Sequence, residues 1–187
     1  MRNPALITIL SVLAALVAAT SAGAITVSGT VTAGSTLTAT STGNPSFSLT
    51  LNGVDQTPTY TLGETVLDSR GIAVGGANGG WNLTITSTQF NDGSGHTFPT
   101  TASTITGVAT PCGASSTCAQ PTNAITNTNL GIPAATVAPA AVKYENASSG
   151  TGMGTLTVNA TVSVAVPANT FAGTYSSTVT VAIVAGP

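Results

Sequence analysis

Charge is almost absent from this chain. Its 187 residues include three Lys or Arg, five Asp or Glu and one His. Beyond residue 24 the only cations are Arg70 and Lys143. Two cations cannot displace the counterions of a run of phosphates, so nucleic acid is not an expected partner. No basic amphipathic stretch is present to lie on a membrane surface. Carboxylates are too sparse for paired-carboxylate hydrolysis, and His96 has no Ser or Cys arranged around it as a nucleophile. The loop from Asp92 to His96 offers one carboxylate where calcium wants several oxygens. No catalytic residue, metal or cofactor is therefore expected, and the chain reads as non-enzymatic. Soluble monomers normally keep a charged surface against self-association. A chain with so few charges and so much Thr, Ser, Val and Ala is instead suited to packing against copies of itself or against a wall.

Long apolar runs are confined to the N-terminus. Arg2 supplies a positive start, residues 5–19 are apolar, and Ala22-Gly23-Ala24 has the small-x-small pattern of a cleavage site. The pattern predicts a secretion signal over 1–24 and a mature chain of one domain over 25–187. The apolar stretch is too short and Ala-rich for a membrane span, so no membrane insertion is expected after cleavage. No Cys follows it to carry a lipid. The expected location is extracellular, at the cell surface, with non-covalent attachment.

Cysteine is limited to Cys112 and Cys118, with five residues between them. In an oxidising compartment this spacing predicts a small local disulfide loop.

What the chain does have is a period of two. Ile25, Val27 and Val31 alternate with Thr and Ser, as do Phe47, Leu49 and Leu51, and Trp81, Leu83 and Ile85. A long run follows from Leu156 to Val166, and another from Tyr175 to Ile183. Alternation of this kind marks strands with one buried face. Turn-forming clusters separate the runs at Gly43-Asn44-Pro45, from Gly75 to Gly80, from Asn91 to Gly95 and at Pro167-Ala168-Asn169. Residues 110–139 are irregular and predict a long loop with one short strand. The whole predicts an all-β, antiparallel β-sandwich of about seven to nine strands, with the last two strands as a hairpin.

Asp68-Ser69-Arg70-Gly71, a Gly-rich turn and Trp81-Asn82-Leu83 together resemble the WxL domain of bacterial surface proteins. The resemblance continues through Gly152-Met153-Gly154-Thr155-Leu156, Val166-Pro167-Ala168 and Ala172-Gly173-Thr174-Tyr175, and so covers about 60–187. It implies an extracellular, non-enzymatic protein bound non-covalently to cell-wall glycan or peptidoglycan. Where that family places a second W-x-L triplet in its last strand, this chain has Val181-Ala182-Ile183.

Each signature residue has two readings. Trp81, in phase with Leu83 and Ile85, either fills the core or stacks on a sugar ring. Asp68 and Arg70 either form a structural ion pair or fix a sugar hydroxyl. Tyr175 is either a core residue with its hydroxyl tied to a loop or part of the same binding face. Asn82, Asn146 and Asn159 match the glycosylation pattern by chance in a Ser/Thr-rich chain. Two functions follow. One is association with wall polysaccharide through Asp68, Arg70, Trp81, Leu83 and Tyr175. The other is self-assembly into a filament or layer, in which the strand at 25–33 completes its own sheet or adds to a neighbour's, burying Ile25, Val27 and Val31 either way.

Overall fold

Parity decides which faces are buried. The computed structural model of the chain describes residues 28–72 and 79–187, and among them nine strands build two facing sheets. The first sheet runs in the order β1 (Leu37–Thr42), β2 (Thr59–Asp68), β8 (Gly154–Val164), β4 (Ser103–Ala109) and β5 (Leu130–Gly131). In the second, β3 (Trp81–Thr88) is the centre, with β9 (Val179–Ala185) on one side. On its other side lie β7 (Val142–Ala147) and the two-residue β6 (Ala134–Ala135). All pairings are antiparallel except β3 with β6. Residues Thr32–Pro187 make one compact unit. No helix among the described residues is long and apolar enough to cross a membrane.

The core lies between the sheets. Leu62 and Val66 of β2 and Leu156, Val158, Ala160 and Val162 of β8 face Trp81, Leu83 and Ile85 of β3. These are the alternating positions of the sequence, because a strand with one wet face must send every second side chain inward. A smaller cluster at one end gathers Phe98, Ala102, Val164 and Val166, with Phe47, Leu49, Tyr60, Phe90 and Tyr175 against it.

Several sequence expectations are corrected. Of the two arrangements expected for residues 25–33, completion of their own sheet is not seen: residues 28–36 form no strand, and Val31 is 98 % exposed in its own molecule. Ile25, Val27, the signal segment and most of the Gly75-to-Gly80 turn lie outside the described residues. Phe47, Leu49 and Leu51 lie in an irregular segment rather than a strand. Their alternation serves packing alone: Phe47 stacks on Tyr60 at 6.3 Å and meets Phe90 edge-on at 5.9 Å. The last two strands are not a hairpin. β8 belongs to the first sheet and β9 pairs with β3 in the second. The connection crosses between sheets, held by Val166 bonding Gln56 and by Ser176 bridging Asn91. Tyr175 therefore precedes the last strand, which starts at Val179. The 110–139 stretch contributes two short strands, β5 and β6, rather than one. Cys112 and Cys118 are bonded, as the spacing predicts.

Candidate functional site

The signature residues meet at one corner of the sandwich. Asp68 ends β2 with its carboxylate buried. The Arg70 guanidinium grips it from Nε to Oδ1 at 2.9 Å and from Nη2 to Oδ2 at 2.8 Å. The Arg70 backbone N–H also donates to Oδ1. The same Nη2 donates to the Gly80 carbonyl at 2.8 Å, tying the end of β2 to the entrance of β3. Bonding to Asp68 raises the Arg70 pKa above its already high value, so the guanidinium stays charged. Two residues apart, Asp68 and Arg70 pair through the turn beyond the strand rather than along a strand face.

Trp81 opens β3 and is 0 % exposed. Its indole Nε1 donates to the Gly152 carbonyl at 2.9 Å. Gly152 has φ +68°, and a Cβ there would strike the Ala147 Cβ and the Trp81 ring. The D-x-R-G, W-x-L and G-x-G motifs are thus parts of one structural lock. Trp81 and Leu83 leave no ring face or side chain open to a sugar, and Asp68 is likewise enclosed. In β9, Val181-Ala182-Ile183 runs beside this strand, with Ile183 opposite Leu83 and Val181 opposite Ile85.

Three core groups escaped the sequence reading. Glu64 faces inward between Leu62 and Val66; it accepts from the Ser41 hydroxyl at 2.9 Å, and burial pushes its pKa up. Its parity was the available signal. Glu145 is buried on β7, where burial raises its pKa to about 7 despite hydrogen bonds from Asn123 and Asn127. The neighbouring Tyr144 hydroxyl is pushed up by burial and by the charges of Glu64 and Glu145. The register of β7 on β3 slips between Leu83 and Thr84, which is how the adjacent Tyr144 and Glu145 both come to be buried. No alternation signals that. Among the described residues, no group of three or more His, Cys, Asp or Glu is placed to hold a metal ion.

The other feature is a groove of about 1040 Å³, walled by residues 41–51 on one side and 170–181 on the other. Tyr60, Leu62 and Phe98 contribute to its lining, and Glu64 is the only charged residue there. Tyr175 sits on the 170–181 wall, half-buried, its ring 4.3 Å from that of Phe98 and its hydroxyl donating to the Phe171 carbonyl at 3.1 Å. Nearby, Phe171 is 62 % exposed and stacks on His96 at 3.9 Å. Asp92 organises that loop, accepting from the Ser94 and His96 N–H groups and pairing with the His96 ring, which lowers its pKa to about 2.

The groove borders an open sheet edge. Thr88 N–H donates to Thr178 O, and Gly186 N–H to Gly80 O. These two bonds fix the parity of the ladder: even-numbered residues of β9 bond β3, and Val179, Val181, Ile183 and Ala185 turn their backbone groups outward. Among the described residues no strand forms a ladder with that side, and β1, which pairs only with β2, approaches β9 without hydrogen-bonding to it. No family model, curated protein or solved structure matches this chain.

Proposed function

We propose that this chain is a secreted, non-enzymatic structural protein of the cell surface that assembles with copies of itself by strand addition. The observation that carries this reading is the outer edge of β9. Val179–Ala185 is a seven-residue strand of Val, Thr, Ala and Ile without charge or Pro. An edge of that composition is an aggregation template unless a partner covers it. Proteins that stay monomeric protect such edges with Lys, Pro or a bulge, and β9 has none of these. The expected secretion signal and the local disulfide support an extracellular setting. The groove offers Glu64 without a second carboxylate beside it, which supports a binding rather than a hydrolytic role.

A second reading, attachment to wall glycan or peptidoglycan as the WxL resemblance implies, is favoured by the exposed Phe171 ring stacked on His96 at the groove's margin. Aromatic faces of this kind suit sugar rings. Immunogold electron microscopy of the producing cells separates the two. Assembly predicts labelled filaments or a continuous layer. Scattered label released as monomer by wall digestion supports the second reading, and protein found only dispersed in the medium contradicts both.

A further inference from the structure

We infer that the groove beside β9 receives residues 25–33 of a second copy of the chain, which adds as an extra strand to the β9 edge. This rests on the assembly reading above and names its donor and acceptor. The donor is suited in sequence. Residues 25–33 carry no charge and alternate Ile25, Val27, Gly29, Val31 and Ala33 with Thr and Ser. The acceptor needs that pattern: one face must meet Tyr60, Leu62 and Val181 while the other meets water. Nine extended residues span about 30 Å, enough to run the length of a seven-residue strand.

Among the described residues, the donor pairs with no strand of its own chain. Residues 28–36 pair with no strand, and Val31 is 98 % exposed although it is one of the apolar positions. The stretch just ahead of β1 is anchored to the residue that follows β2. Thr36 bonds Ser69 in both directions, its N–H to the Ser69 hydroxyl and its carbonyl to the Ser69 N–H. Gly34 lies so close to Ser69 that a Cβ would strike the Ser69 carbonyl. In the donated strand, main-chain hydrogen bonds to Val179, Val181 and Ile183 give affinity, and the alternate side chains in the groove fix the register.

The test uses mature protein, a Val31→Asp variant, a variant lacking 25–33 and a synthetic peptide of residues 25–33. Val31→Asp places a carboxylate in the apolar groove of the neighbour, yet Val31 is too exposed for its own fold to need it. The variant should keep the wild-type melting temperature and raise the concentration needed for assembly at least tenfold. The shortened chain should stay monomeric and bind the peptide. Binding should slow hydrogen exchange at the Val179, Val181 and Ile183 amides at least tenfold, and a peptide with Asp at positions 27 and 31 should not. If the shortened chain does not fold, Val31→Asp decides alone. Assembly of Val31→Asp at the wild-type concentration overturns the donor assignment and leaves the assembly reading standing. Peptide binding without protection of β9 overturns the acceptor assignment. Wild-type protein that never assembles overturns the assembly reading itself, and the inference with it.

Discussion

The Trp81 indole and the Gly152 carbonyl, seventy-one positions apart, are joined by a buried 2.9 Å hydrogen bond. This contact places the W-x-L triplet of β3 against the G-x-G turn that enters β8, so a bond across the sandwich spans its two sheets. It also explains why Gly152 is glycine: its left-handed backbone and the space its missing Cβ leaves are both occupied by the Trp81 corner.

Trp81→Ala should cost about 3–5 kcal/mol of folding stability, as for other large-to-small core changes. Trp81→Phe keeps much of the volume but leaves the Gly152 carbonyl without its donor, at about 1–3 kcal/mol. Chemical denaturation measures both. An unchanged midpoint for Trp81→Ala would place the ring outside the core and restore it as a sugar platform.

Arg70→Ala should destabilise by about 2–3 kcal/mol, because it removes the guanidinium from a buried Asp68 carboxylate and from the Gly80 carbonyl. The cost falls below that of a fully buried pair because 22 % of the Arg70 side chain meets water. Arg70→Lys should recover less than half, since an ammonium cannot reproduce the two-pronged grip. Full recovery by Lys would show that charge alone matters at this corner.

Much of this was legible in the residues. The parity of Trp81, Leu83 and Ile85, and of Leu156 to Val164, marks the core faces correctly, because burial on one side of a pleated strand imposes it. Parity names a face, though, and not a partner. It could not show that β9 leaves β8 and joins β3, and it made a strand of Phe47, Leu49 and Leu51, whose rings pack without any ladder. Tyr144 and Glu145 were hidden by the register slip that buries two neighbours together. The open edge of β9 was invisible for the same reason as its pairing: it is a property of sheet order.

Stability should fall as pH rises from about 4.5 to about 7. Over that window an unfolded Glu145 loses its proton while the folded one keeps it, so the folded state binds more protons and rising pH favours unfolding. Glu64 acts in the same direction. Asp92 has the opposite sign: its stabilisation is present above about pH 4 and is lost as pH falls toward about 2. Glu145→Gln should flatten most of the upper decline, a difference on the order of 2 kcal/mol between the two ends of the window. Thermal melts of both proteins across pH 4–8 check it, and an undiminished decline in the variant would assign the effect elsewhere.

Reducing the Cys112–Cys118 bond should cost no more than about 2 kcal/mol, because the loop it closes is short. The loop is also held by backbone bonds that survive reduction, from Gly113 N–H to Thr155 O and from Ala119 N–H to Met153 O. Melting with and without reductant measures this; collapse of the fold on reduction would show that the loop organises β8.

The central claim is that the uncharged edge of β9 is an assembly surface, and sedimentation velocity on purified mature protein over a wide concentration range tests it most directly. The account predicts species larger than monomer that grow with concentration and persist in high salt, since no charge pair holds them. A single monomer-sized boundary at every concentration would contradict it.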